Sequence, residues 1–133
     1  MYLQSCDRIE GDVSGLACKK SGDYVRAFAF SNEIGSNKSS LGLFRVTEVY
    51  QGEHGTSLRL KGLDPGVNDN AEERAIVVHG AEYVSLGSVF ENILQRRGPG
   101  VGRSLGCPVV SFTALDDVVT NLRVGGYLFV HYK

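Results

Sequence analysis

The sequence has few of the features that mark disulfide-stapled or polyanion-binding proteins. It holds three cysteines and three prolines in 133 residues, and its formal net charge is −1. Three thiols cannot all pair within one chain, and the spacing of Cys6, Cys18 and Cys107 matches no zinc-binding pattern. With a pI of about 6.3, no positive field gathers nucleic acid. We expect no nucleic-acid partner, and free thiols at Cys6 and Cys18 in preference to a bridge between them.

Long apolar runs are absent as well. No stretch reaches about 18 consecutive apolar residues, and residues 1–7 lack a basic segment followed by an apolar one. The sequence therefore predicts no membrane span, and no signal peptide is visible in this chain. A length of 133 residues with 42% hydrophobic content predicts a single globular domain over residues 1–133.

Glycine, in contrast, is abundant, with 17 residues. Short apolar and β-branched stretches alternate with turn-like clusters, which predicts a mainly β domain, a β-sandwich or mixed sheet, with one or two short helices. The predicted strands cover residues 24–30, 41–50, 57–63, 75–79, 108–112 and 127–132. A short helical turn is expected around residues 68–73.

Two segments have helical spacing. Ser88 and Glu91 form a capping-box pattern for the first helix, and Gly98 supplies its end. Its apolar residues at helical spacing are Val89, Phe90, Ile93 and Leu94. The second helix is predicted to begin near Thr113 and to end before Gly125. Its predicted buried face comprises Leu115, Val118, Val119 and Leu122.

Cys107 is the strongest candidate for a reactive group. It follows a glycine-rich segment, Arg103 lies four residues before it, and Pro108 stiffens the exit into a strand. Positive charge and backbone donors of this kind activate a thiol, although a lone cysteine also serves as a small buried apolar residue. Because Pro108 has no N–H, the donors for a developing oxyanion are expected to be the backbone N–H groups of Gly106 and Cys107.

A histidine is the usual proton acceptor for a thiol at neutral pH. His79 ends an apolar run and precedes Gly80, which fits either a catalytic base or a hydrogen-bonded core histidine. His131 is expected to be a half-buried strand residue, and His54 a solvated residue of a hairpin turn. No Asp or Asn is singled out by sequence to orient the imidazole.

Several motifs in order extend this interpretation. They are Tyr50-Gln51-Gly52, His54-Gly55-Thr56-Ser57, Asn68-Asp69-Asn70-Ala71, Val78-His79-Gly80-Ala81 and Gly102-Arg103-Ser104-Leu105-Gly106-Cys107-Pro108. Together they resemble the murein L,D-transpeptidase catalytic-domain family, which is YkuD-like. The resemblance implies that Cys107 attacks, that His79 is base and then acid, and that the backbone carbonyl of Gly80 orients the imidazole. It also implies peptidoglycan stem peptides as partners, 3→3 cross-links formed through a Cys107 thioester, and a periplasmic or cell-envelope location.

The chain departs from the wider family at two positions near the cysteine. Leu105 stands where a second histidine is common, and Pro108-Val109 replaces an apolar residue followed by arginine. An early His-Gly pair is also missing near residues 17–22. The role of the family's arginine does not transfer to Val109, and either Arg103 or Arg74 is a candidate to substitute for it. We assign substrate contacts to four residues: Arg103, Ser104, Tyr50 and Arg74.

Other readings of the same residues stay open. If water resolves the thioester, the site is that of an L,D-carboxypeptidase or another cysteine peptidoglycan hydrolase, and an inactive cell-wall-binding module is the non-enzymatic alternative. Ser39 and Ser40 fit a turn better than a peptide cleft. The acidic residues of positions 64–73 fit a solvated loop better than a metal site. We expect no cofactor and no metal, and the sequence carries no signal of an oligomeric state.

Overall fold

A computed structural model describes residues 29–95 and 104–131 of the protein. These ranges contain five strands and two helices. In chain order they are β1 (Gly42–Gly52), β2 (Gly55–Gly62), β3 (Val77–Gly80), α1 (Leu86–Leu94), β4 (Val109–Val110), α2 (Phe112–Leu122) and β5 (Tyr127–Val130). The prediction of a mainly β domain with a mixed sheet and two short helices is confirmed.

The five strands form one sheet in the order β4-β3-β2-β1-β5. Neighbouring strands are antiparallel except β3 and β4, which run parallel. A parallel pair needs a long crossover, and the chain between β3 and β4 includes α1. This crossover returns the segment that holds Cys107 to the edge of β3.

The apolar core lies between one face of the sheet and α2. Phe44, Leu58, Leu60 and Val78 supply the sheet side, and all four are at most 1% exposed. From α2, Leu115 and Val118 are buried, while Val119 and Leu122 pack against the same cluster. The predicted buried face of the second helix is therefore confirmed. Its side chains follow one another at the three- and four-residue spacing that aligns them along one helix face.

The first helix begins earlier than the capping-box pattern predicts. Ser85 is its N-cap, and its hydroxyl accepts a hydrogen bond from the backbone N–H of Ser88. Ser88 is thus inside the helix. The apolar residues of α1 are largely exposed, with Phe90 at 67% and Leu94 at 82%. Their helical spacing identified the helix, but no core in the described ranges covers them.

Three predicted strands differ most from the structure. Ala75 has φ 53°, in the left-handed region, so β3 begins only at Val77. β4 is limited to two residues, and Phe112 starts α2 because the side chain of Ser111 caps the helix by accepting from the N–H of Ala114. The strand predicted over residues 24–30 falls mostly outside the described residues, and Ala29 and Phe30 are not in a strand.

Candidate functional site

Strand register places a row of side chains across the middle of the sheet. Tyr50 on β1 pairs with Ser57 on β2, Ser57 pairs with His79 on β3, and His79 pairs with Val109 on β4. Directly opposed residues point to the same face of a sheet. Since Leu58 and Val78 belong to the core, this row lies on the opposite face. The row joins two predicted site residues, Tyr50 and His79.

His79 is buried, and its ring is hydrogen-bonded to Gly80, the last residue of β3. It is 6% exposed, and its Nδ1 lies 3.0 Å from the carbonyl oxygen of Gly80. A carbonyl oxygen only accepts, so Nδ1 donates the proton and Nε2 of the neutral ring keeps its lone pair. The hydrogen bond that the family resemblance implied is therefore present in the structure.

The surroundings of His79 also favour its neutral form. Burial lowers the pKa of His79 below its ordinary value of 6.5, because the low-dielectric interior disfavours the imidazolium cation. The hydrogen bond to Gly80 acts in the opposite direction, and the nearby imidazole of His54 lowers the pKa further. A neutral ring with an available Nε2 lone pair is the form that accepts a proton from a thiol.

Cys107 lies just before β4, the strand that pairs with β3. The backbone N–H of His79 donates to the carbonyl oxygen of Pro108 at 3.3 Å, and Val109 is the register partner of His79. Cys107 precedes Val109 by two residues, and two residues of extended chain combined with one strand spacing correspond to about 8 Å. Cys107 is partly buried, and its Sγ lies 3.9 Å from the carbonyl oxygen of Ala75.

The segment before Cys107 is folded tightly by local contacts. The hydroxyl of Ser104 donates to the carbonyl oxygen of Cys107 at 2.6 Å. Gly106 has φ 103°, and a Cβ there would lie 2.7 Å from the carbonyl oxygen of Lys38 and 3.1 Å from Nη2 of Arg74. Glycine is required at this position for both its conformation and its packing.

Arg74 ties a second loop to this segment. Its guanidinium donates to the carbonyl oxygen of Ser31 at 2.8 Å, to the hydroxyl of Ser40 at 2.6 Å and to the carbonyl oxygen of Lys38. These contacts favour a structural role for Arg74, and the substrate contact assigned to it stays a prediction. Ser40 is buried and bonded within this loop, which favours the turn interpretation of its hydroxyl.

Tyr50 is half-buried, and its ring faces the guanidinium of Arg59 at 4.9 Å from the ring centre. Arg59 also pairs with Glu48 at 2.9 Å. The substrate contacts assigned to Tyr50 and Ser104 stay predictions. Arg103 lies outside the described residues, as do Cys6, Cys18 and Gly98.

Sequence reasoning missed one neighbour of His79 and one neighbour of Gly80. The ring of His54, in the turn between β1 and β2, stacks on the ring of His79 with centroids 4.5 Å apart and an angle of 23° between the planes. The ring of Phe112 covers Gly80, where a Cβ would lie 2.5 Å from Cδ1 of Phe112. The hairpin turn predicted for His54 and its exposure are confirmed, but its contact with β3 carried no local signal. His131 is exposed instead of half-buried, because it follows the end of β5.

Acidic side chains of the loop after β2 are used within the protein. Asp64 accepts from the N–H of Leu43 at 2.7 Å, and Asp69 accepts from the side chain of Asn32 at 2.7 Å. Within residues 29–95 and 104–131, no group of three or more His, Cys, Asp or Glu side chains is arranged to hold a metal ion. Over the same ranges, neither helix has the length and apolar character needed to cross a membrane.

Fold and site together describe a mainly β domain in which a buried, neutral imidazole neighbours a cysteine loop. Residues 14–131 match the family model of the L,D-transpeptidase catalytic domain. The chain therefore belongs to the L,D-transpeptidase catalytic domain family, as the ordered motifs predicted. No curated protein and no solved structure matches the chain.

Proposed function

We propose that the protein is a cysteine acyltransferase that forms 3→3 cross-links between peptidoglycan tetrapeptide stems. One observation carries the proposal: the Nδ1 of His79 is bonded to the carbonyl oxygen of Gly80 at 3.0 Å, which leaves Nε2 as the basic atom. Family membership supports the substrate class. We further propose that residues 1–133 act as a single catalytic domain in the periplasm or cell envelope.

In the proposed first step, Nε2 of His79 takes the thiol proton of Cys107. The sulfur attacks the carbonyl carbon on the L-centre of the diamino acid, and the C–S bond forms. The backbone N–H groups of Gly106 and Cys107 stabilise the oxyanion, since Pro108 offers no donor. The C–N bond then breaks, and His79 gives its proton to the leaving amine of D-alanine. A thioester on Cys107 remains.

In the second step, an amine of another stem attacks the thioester carbonyl. His79 accepts the proton of that amine and returns it to the departing sulfur, which restores the thiol. The new amide bond is the cross-link. Water in place of the amine would give a free acid, which is the carboxypeptidase outcome of the same site.

The test uses the purified protein with disaccharide-tetrapeptide muropeptides. Released D-alanine, dimer and free acid are followed by liquid chromatography with mass detection, and the thioester by the mass of the intact protein. We expect dimer and a mass increase on Cys107, and loss of both in Cys107→Ala. Cys6→Ala and Cys18→Ala are the matched thiol controls and should retain turnover.

Undiminished turnover in Cys107→Ala, or no turnover by the unaltered protein, would overturn the proposal. Free acid without dimer, in the presence of an amine acceptor, would overturn the transferase assignment and favour the hydrolase. An inactive wall-binding module is the outcome if Cys107 also resists a thiol alkylator at neutral pH.

A further inference from the structure

A second histidine lies directly against the proposed base. His54 sits in the turn between β1 and β2, and its ring stacks on that of His79 at 4.5 Å between centroids. The two rings are within 23° of parallel, so one covers the face of the other. His79 is 6% exposed, whereas His54 is exposed. The solvent-facing ring thus forms part of the cover over the buried one.

The turn that carries His54 is well defined. Gly52 and Gly55 close the hairpin as register partners, and Gly55 has φ 76°, a left-handed conformation that glycine adopts without steric cost. The hydroxyl of Ser57 donates to the carbonyl oxygen of Gly55 at 3.1 Å. Because Ser57 is also the register partner of His79, the turn and the base are anchored to the same point of β2.

We propose that His54 is a positioning residue that holds the His79 ring in its catalytic orientation and limits its contact with water. The inference rests on the proposed function, because orientation of His79 matters for turnover only if His79 is the base. The hydrogen bond to Gly80 restrains the His79 ring at Nδ1 only. The His54 ring, stacked on the face of the His79 ring, opposes rotation about that hydrogen bond. Two restraints of different direction define the position of Nε2.

The contact between the two rings also affects the pKa of His79. On the neighbouring strands, the register partners of His79 are Ser57 on β2 and Val109 on β4, neither of which is charged. Cys107 lies two residues before Val109. Burial is the main cause of the lowered pKa of His79, and the electrostatic effect of the His54 imidazole lowers it further. Loss of the His54 ring removes part of the cover over His79 and the electrostatic effect of the imidazole, and both changes raise the pKa of His79.

The test compares His54→Ala with His54→Phe in the full chain. Phenylalanine keeps a flat ring on His79 but lacks the ionisable imidazole. Alanine removes both the ring and the ionisable group. We expect His54→Ala to lower kcat about two- to tenfold with KM little changed, as the loss of a stacked aromatic pair worth about 0.5–1.5 kcal/mol allows. His54→Phe should recover most of that loss. His131→Ala is the matched control, since its ring stacks on Phe129 away from β3.

Two readouts are independent of peptidoglycan turnover. Titration of the His79 ring by NMR should give the highest pKa in His54→Ala, an intermediate one in His54→Phe and the lowest in the unaltered protein. The rate of Cys107 alkylation should also be measured as a function of pH, with peptide mass mapping to identify the modified residue. The apparent pKa on the acidic side of this pH profile should follow the same order among the three proteins. Identical titration curves and kcat values in all three proteins would overturn the positioning role. If His79→Ala also leaves Cys107 alkylation unchanged, His79 is not the base for this thiol. That result would contradict the proposed function and is distinguishable from failure of the His54 role alone.

Discussion

The two faces of β2 and β3 are built from alternate residues of the same strands, and both include buried side chains. The core face buries apolar side chains, whereas the opposite face also buries the polar residues Ser57 and His79. Leu58 and Val78 on the core face are 0% exposed. Ser57 and His79 on the opposite face are 1% and 6% exposed. The same backbone thus supports a hydrophobic core on one side and two buried polar side chains on the other.

The difference lies in what burial does to each side chain. A buried leucine stabilises the fold by about 1.5–3 kcal/mol through removal of apolar surface from water. A buried imidazole loses hydration, and here the hydrogen bond between Nδ1 and the carbonyl oxygen of Gly80 offsets part of that cost. Stability therefore comes mainly from the apolar face, whereas the polar face uses burial to alter the acid–base properties of His79.

The largest effect should come from the polar face. His79→Ala removes the proposed base, and we expect kcat/KM for D-alanine release to fall by roughly 10²- to 10⁴-fold. The measurement is steady-state turnover of tetrapeptide muropeptides, with His131→Ala as the control on a histidine far from the row. Full activity in His79→Ala would show that His79 is not the base. It would also contradict a functional difference between the two faces.

The apolar face should respond in stability instead. Leu58→Ala deletes a fully buried side chain, and we expect the free energy of unfolding to fall by about 2–5 kcal/mol. Denaturant unfolding measures it. Leu94→Ala is the matched control, because Leu94 is 82% exposed and its loss should change the unfolding free energy by about 0.5 kcal/mol or less. Equal effects at the two leucines would contradict the assigned core.

Gly80 links the two faces, since its carbonyl oxygen holds His79 while its α-carbon lies under α2. A Cβ at this position would lie 2.5 Å from Cδ1 of Phe112 and 3.2 Å from Cδ2 of Leu115. We expect Gly80→Ala to lower the free energy of unfolding by about 1–3 kcal/mol through overpacking. Gly87→Ala, where the nearest atom is 3.8 Å away, should be neutral or slightly stabilising. Denaturant unfolding of both variants measures the two free energies of unfolding. Their difference separates the effect of packing at Gly80 from the general effect of replacing glycine by alanine.

The smallest effect should be a dependence of stability on pH. Burial depresses the pKa of His79 in the folded protein, so the unfolded chain takes up a proton more readily. This contribution to stability is full above about pH 6.5 and is lost as the pH falls from there through the depressed pKa. His79→Gln has no such group, so the stability of the unaltered protein should fall relative to this variant between pH 7 and 5. A constant difference would contradict the depressed pKa.

Local sequence patterns predicted much of the fold. Alternation and β-branched content located β1, β2 and β5 to within a few residues, and three- and four-residue spacing located the buried face of α2. The same spacing found α1 but not its environment, because periodicity describes which residues share a helix face and not what that face contacts. Phe112 was assigned to a strand because its apolar character fits either element, and the cap at Ser111 decided for the helix.

The candidate site was predicted in part. The order of motifs placed His79, Gly80 and Cys107 in one family pattern, and the Nδ1–carbonyl contact at Gly80 is a local event within two adjacent residues. The catalytic assignments of these residues stay predictions. The stacking of His54 on His79 joins residues 25 positions apart and depends on the pairing of β2 with β3.

By itself, the sequence determined which segments become strands and helices, where glycine permits left-handed backbone, and which thiol and imidazole carry family motifs. These properties depend on side-chain periodicity and on steric limits within a few residues. Only the tertiary structure decided that His54 covers His79, that Arg74 braces the loop at Gly106 and that Ser57 and His79 are buried. Such contacts join residues distant in the chain, so they follow from strand register and loop closure and from no local pattern.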